Sequence, residues 1–317
     1  MKRFITACLT LFVTIGLVAC ASSSEAKKTA EESPEISLDN YGRQLTLTQV
    51  PQKVLTIGPN ATELFVALGL ENVIIGNALD NHSRGPLPEY KEAYDKIPEL
   101  TYGSPTREAV LSSGADFIYG IDWEFGKEGL DIDELRTYGI STYLNSASTI
   151  EEAFQEIADI GRIFAIEDRA KDFIDREQSR LAKVKESLPS SSVTVLVYDS
   201  GQNGVFTASQ SNFESRLIEA AGGQNIFSDL TSKDWITVSK EEVFARHPEV
   251  IIIHDYDAQT ADEKIAELKS DPVLGQLEAV KNEQFVVISL ENALPGPRIA
   301  TTVEILAKAF QNVGERK

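Results

Sequence analysis

A chain of 317 residues with 42 % hydrophobic content is long enough to bury two cores. Its 49 acidic against 30 basic residues, a formal net charge of −19, set up a field that repels nucleic acid and anionic lipid headgroups. Two cysteines allow neither a disulfide framework nor a Cys-based metal cage.

Lys2 and Arg3 precede sixteen uncharged residues, 4–19, which end in Leu17-Val18-Ala19-Cys20. A basic start, an apolar stretch and small residues before a cut are the marks of an export signal. The stretch is shorter than the ~20 residues of a stable span, and the polar run behind it has no stop-transfer character. A small residue followed by cysteine is the pattern at which bacterial lipoproteins are cleaved and diacylated. The expectation is therefore a signal peptide at 1–19 and a mature chain tied to the outer face of the cell membrane through diacylglyceryl Cys20. Loss of Lys2 and Arg3 leaves 28 basic against 49 acidic residues, or −21, a charge that serves solubility and spacing from a negative envelope or attracts a cationic ligand. Residues 20–35, rich in Ser, Ala, Lys and Glu, read as a disordered tether.

From Val54 onward, apolar run, turn and amphipathic helix repeat, which predicts an α/β fold. Val54-Leu55-Thr56-Ile57 is a strand that stops at Gly58-Pro59-Asn60. Residues 62–68 carry Leu64, Phe65 and Leu68 on one helical face and close at Gly69 as a C-cap does. Strands follow at 73–76, 116–120 and 141–144. Residues 151–164 form one helix and 167–188 another, free of Gly and Pro until Pro189 and spanning about 33 Å at ~1.5 Å per residue. Such a length suits a spacer between lobes. Strands resume at 193–198, 250–253 and 285–288. An internal duplication supports two similar lobes: 108–123 aligns without gaps on 241–256, and 64–74 on 217–227. The expected divisions are 36–165 for the amino-terminal lobe, 166–190 for the interlobe helix and 191–317 for the carboxyl-terminal lobe.

No Walker-type loop, G-x-G-x-x-G, H-E-x-x-H or G-x-S-x-G is present, so an enzyme has no recognisable machinery here. His82, His247 and His254 lie far apart in sequence, which supplies a bare-metal cage poorly.

Several segments together resemble the substrate-binding lipoproteins of ABC importers for iron-siderophores, haem and cobalamin, the group whose lobes are joined by one long helix. They are Val54-Leu-Thr-Ile-Gly-Pro-Asn-Ala-Thr-Glu63, Leu68-Gly69, Glu108 with Asp116-Phe117-Ile118, Leu217-Ile218-Glu219 to Phe227, Val238-Ser239-Lys240-Glu241 with Pro248 to Ile253, and Pro295-Gly296-Pro297-Arg298. The resemblance implies two Rossmann-like lobes with a ligand cleft between the carboxyl ends of their strands, limited lobe closure, no catalytic activity and no intrinsic cofactor. It implies docking on ABC permease subunits through one glutamate per lobe, at the matching positions Glu108 and Glu219.

Strand ends nominate the cleft residues. Asn60, His82, Arg84 and Trp123 are expected from the first lobe, and Phe206, Trp235, Tyr256 and Arg298 from the second. Aromatic walls would stack on a large chelate, and Arg298, with Arg84 behind it, would grip the oxygens of a ferric siderophore. The resemblance also raises His254 or Tyr256 as an iron ligand. A ferric siderophore is the first expectation, with haem and cobalamin as alternatives. An exported enzyme using Asp255 and Asp257 is weakened by their i, i+2 spacing, which turns them apart. A surface adhesin would need no cleft lined by both lobes. A monomer is expected, because each lobe must present one face to the permease and the acidic surface disfavours self-association.

Overall fold

The computed structural model describes residues 35–314 apart from 190, 202 and 258; the expected signal peptide, Cys20 and nearly all of the tether lie outside them. No helix among the described residues is long and apolar enough to cross a membrane.

The amino-terminal lobe opens with an antiparallel hairpin, β1 (Ile36–Asn40) and β2 (Arg43–Leu47). Tyr41 and Gly42 turn it, at φ 53° and 68°, the left-handed pair that a two-residue hairpin requires. In chain order come β3 (Val54–Ile57), α1 (Pro59–Ala67), β4 (Ile74–Ala78), α2 (Lys91–Tyr94), β5 (Glu99–Thr101), α3 (Arg107–Ser112), β6 (Phe117–Ile121), α4 (Ile132–Thr137), β7 (Ser141–Asn145) and α5 (Ile150–Ile163). The five later strands form a parallel sheet in the order β5-β4-β3-β6-β7. Every residue of β3 and β6 is buried, as expected of central strands covered on both faces. The winding reverses at β3, so the crevice for a ligand lies at the carboxyl ends of the strands beside it.

The chain then enters α6 (Glu167–Ser187), whose 21 residues reach about 31 Å and match the expected spacer. The second lobe follows with β8 (Val193–Tyr198), β9 (Val205–Ala208), α7 (Phe213–Ala220), β10 (Gly223–Asn225), β11 (Trp235–Val238), α8 (Lys240–Arg246), β12 (Val250–Asp255), α9 (Ala261–Ser270), α10 (Glu278–Lys281), β13 (Phe285–Ser289), α11 (Leu290–Ala293) and α12 (Ile299–Gly314). Its parallel sheet runs β10-β8-β12-β13, and β9 pairs with β11 as a separate antiparallel ribbon.

The two sheets do not stand apart as separate globules: the described residues form one compact unit. One apolar core joins Leu55 and Phe117 of the first sheet through Ile157 and Phe173 to Val303, Val195 and Ile252 of the second lobe. A second core, around Leu196, Tyr198, Ile251 and Ile253, fills the opposite face of the second sheet. Alternation along β12 therefore sends Val250, Ile252 and His254 to one face and Ile251 and Ile253 to the other. Helix α6 is tied to α12 by Arg180, which bonds Glu304 and Thr301, and by buried Glu177, which accepts from the Ala300 amide at 3.1 Å.

Helix α1 begins earlier than its apolar spacing indicates. Gly58, at φ 130°, is the N-cap and Pro59 stands in the first turn, where its missing N–H costs nothing. Asn60 thus belongs to a helix and is 1 % exposed.

Candidate functional site

A cavity of about 320 Å³ lies between the lobes. The carboxyl end of β6 supplies Asp122, Trp123 and Phe125, and that of β7 supplies Asn145 and residues 146–148; Tyr41 closes the edge. The second lobe contributes residues 211–213, Asp234, Trp235 and 293–295. Trp123 is 47 % exposed. Trp235 is fixed from behind, because its ring stacks on Phe206 at 5.3 Å and meets His254 edge-on at 5.8 Å. Such walls offer flat apolar area with little rotamer entropy to lose.

Among the described residues, the lining holds two carboxylates, Asp122 and Asp234, and no Lys, Arg or His. Burial pushes the Asp122 carboxyl above its ordinary range, and the charge of Asp234 adds to this. The β9–β11 ribbon also borders an open groove of about 700 Å³, lined by Phe206, Tyr256, Ser200, Gln259 and Glu263 among others.

The expected cations are placed differently. Arg298 is 4 % exposed and its fork is fully engaged. Nε and Nη2 meet Glu63 at 2.8 and 2.6 Å. Nη1 donates to Ser289 and Asn292, and Nη2 to the Gly85 carbonyl at 2.7 Å. A guanidinium removed from water needs an anion and a partner for each N–H, and with Glu63 fully buried beside it none is left for a ligand. Burial raises the Glu63 carboxyl, with Arg298 acting against that rise. Arg84 is likewise held, by Asp255 at 2.9 and 3.0 Å and by the Tyr256 carbonyl. The expectation of free guanidinium groups in the cleft is thus corrected on both counts.

His254 is fully buried, with Nδ1 against Asp199 at 3.1 Å and Nε2 against Glu214 at 3.0 Å. Burial alone would lower its pKa, but Glu214 and Asp199 overcome this and push it up to about 9. An imidazolium that donates from both nitrogens has no lone pair for iron, so the reading of His254 as a ligand is corrected. Tyr256 donates its hydroxyl to Asp199 at 3.1 Å and carries Lys264 Nζ 3.9 Å above its ring. Burial and the Asp199 charge push the phenol up. Among the described residues, no group of three or more His, Cys, Asp or Glu side chains could hold a metal ion.

Asn60 bridges the lobes, its amide donating to Asn145 Oδ1 at 2.7 Å and to the Pro295 carbonyl. His82 is half-buried and stacks on Tyr256 at 5.7 Å. Glu108, in the first turn of α3 after the Thr106 cap, is exposed. Glu219, at the far end of α7, is exposed and accepts from Arg216 and Gln210. Of the eight nominated cleft residues, only Trp123 and Trp235 line the interlobe cavity. Phe213, Asp234 and Asn145 were not nominated, although Asn145 ends a recognised strand and Asp234 precedes a recognised tryptophan.

Residues 54–290 match the family described as periplasmic binding protein. The chain is 28 % identical over 208 residues, 64 % of its length and 71 % of the relative's, to the vitamin B12-binding protein of Pectobacterium carotovorum. It is 22 % identical over 311 residues, 95 % of its length and 94 % of the relative's, to an uncharacterized ABC transporter substrate-binding lipoprotein of Bacillus subtilis. A periplasmic binding protein from Veillonella parvula shares the fold, with a TM-score of 0.79 and 25 % identity over 88 % of this chain and 98 % of that one. With most of its length matched, from β3 to the start of α11, the chain belongs to the periplasmic binding protein family and is a substrate-binding protein of ABC transport.

Proposed function

We propose that this protein captures a bulky metal chelate without net negative charge, a neutral ferric hydroxamate or a corrinoid, and delivers it to an ABC permease. The observation that carries this reading is the interlobe cavity, with tryptophan walls from both lobes, two carboxylates and no basic residue among its described lining residues. A ferric hydroxamate, in which each chelating group carries a single charge, is neutral overall; a catecholate complex stays anionic, and haem carries propionates. The cavity repels the latter two, and no His stands among its described lining residues for axial ligation of haem; its one tyrosine, Tyr41, sits exposed at the edge. The vitamin B12-binding relative favours the corrinoid, and the chemistry accommodates either.

Volume adds a condition. Ligand pockets run from roughly 300 to 1,000 Å³, and about 320 Å³ is at the lower end, so a bulky chelate enters as the lobes part. Delivery fits the exposed carboxylates Glu108 and Glu219, one on each lobe, which are suited to orient a transient basic partner. In this reading diacylglyceryl Cys20 holds the monomeric protein at the outer face of the cell membrane, and residues 20–35 give it reach.

The test is to add cobalamin, a neutral ferric hydroxamate, a ferric catecholate and haem separately, and follow the fluorescence of the chain's two tryptophans, corrected for ligand absorbance. Saturable one-to-one quenching by cobalamin or the hydroxamate is expected. Tight binding of the catecholate or haem, with neither of the others bound, would overturn the charge argument.

A further inference from the structure

Leaving β4, the backbone passes through Leu79 at φ 75°, a left-handed conformation in a fully buried side chain, and through one 3-10 turn, Asp80–His82. Four consecutive residues then reach the other lobe. His82 stacks on Tyr256. Ser83 Oγ and the Arg84 amide both donate to Glu291 Oε1, at 2.6 and 2.7 Å. The Arg84 guanidinium lies side-on against Asp255, and the Gly85 carbonyl accepts from Arg298. Left-handed backbone at a non-glycine residue is retained where the surroundings over-determine it, and here it aims this strap across the cleft.

The strap and the cavity lie on opposite sides of β3. The sheet order places β4, which feeds the strap, on one side and β6 and β7, which feed the cavity, on the other. The strap's acceptors are Asp255, which ends β12, and Glu291, in α11 just after β13, whereas most of the cavity's second-lobe wall is built on the β9–β11 ribbon and the turn into α7, with residues 293–295 at the end of α11 completing it. The contacts also differ in durability. Arg298 and Glu63 are buried, with side chains 5 % and 1 % exposed, whereas Arg84 and Asp255 are 34 % and 26 % exposed. Water and salt reach the second pair and not the first.

We infer that residues 82–85 form an interlobe latch: the Arg84–Asp255 clasp opens and closes to set how far the lobes part, while the buried Arg298–Glu63 pair stays intact as the pivot. This goes beyond the receptor reading and does not depend on which chelate is bound.

The test uses no ligand. In a Trp123→Phe background, Trp235 is the sole tryptophan, half-buried in the cleft wall, and acrylamide quenching reports its exposure. An ion pair this accessible shifts a two-state equilibrium by about two- to fivefold, so Arg84→Ala should raise the quenching constant measurably. One molar NaCl should raise it in the parent protein and leave Arg84→Ala unmoved. Arg84→Ala/Asp255→Ala should match the single change. If a variant fails to melt cooperatively, the salt response of the parent decides. Equal quenching of a folded Arg84→Ala and its parent, or a parent unmoved by salt, overturns the latch and leaves the receptor reading standing. A chelate panel with no binder overturns that reading and leaves the latch.

Discussion

Raising the pH through the mildly alkaline range titrates one side chain that the fold holds charged. His254 sits between Asp199 and Glu214 with no exposed surface, and its pKa moves from an ordinary 6.5 to about 9. A folded-state value above the unfolded one means that the bound proton stabilises the fold. That stability is fully present below pH 6.5 and is lost progressively as the pH rises through about 9. At 1.36 kcal/mol per pH unit the gap corresponds to about 3 kcal/mol. Urea unfolding at several pH values from 6 to 9.5 should therefore show a falling midpoint, by about 1 M for a slope near 3 kcal/mol/M. His254→Gln leaves two buried carboxylates without their cation; it should cost about 3–5 kcal/mol at neutral pH and abolish the decline between pH 6.5 and 9. Lys264, pulled below its ordinary value by burial, acts in the opposite sense but is common to both proteins. Identical pH profiles for His254→Gln and the parent would refute the imidazolium assignment.

Two further outcomes follow from buried charge. Glu156, pushed up to about 7 mainly by burial, prefers its proton in the folded state, so stability falls as the pH rises from 4.5 to about 7. Glu156→Gln should remove that fall in a urea titration and be more stable than the parent at pH 8. Arg298→Met strands Glu63 and should cost about 3–5 kcal/mol in thermal or urea unfolding, and Glu63→Gln in the same chain should recover a large part of the loss. Simple additivity of the two changes would deny that they form one buried pair.

The longer parallel strands and α6 were legible because they obey rules that sequence displays directly: continuous apolar runs between turn residues, and a long period free of Gly and Pro; β5 and β10, three residues each and largely polar, were not. The hairpin β1–β2 and the ribbon β9–β11 were not legible either, since each strand is short, β1, β2 and β11 are largely exposed or half-buried, and each depends on a partner strand for its stability. Trp123 was readable from the end of β6, whereas Trp235, though nominated, opens β11 of the unrecognised ribbon. The fate of the cations was not, because Glu63 and Arg298 lie 235 positions apart, and no local pattern tells which carboxylate will meet which guanidinium. His254 illustrates the same limit. It reads as a strand-end residue, yet β12 continues to Asp255, and alternation turns the imidazole inward, where Glu214 at the start of α7 waits for it.

The most direct measurement is calorimetric titration of the bound chelate into the parent protein, Trp123→Ala and Trp235→Ala, because the two tryptophans belong to opposite lobes of one cavity. One-to-one binding that weakens about tenfold or more in each variant, as loss of a stacking aromatic at a binding hot spot does, is the predicted result. Undiminished binding in either variant would place the site within a single lobe and contradict an interlobe receptor.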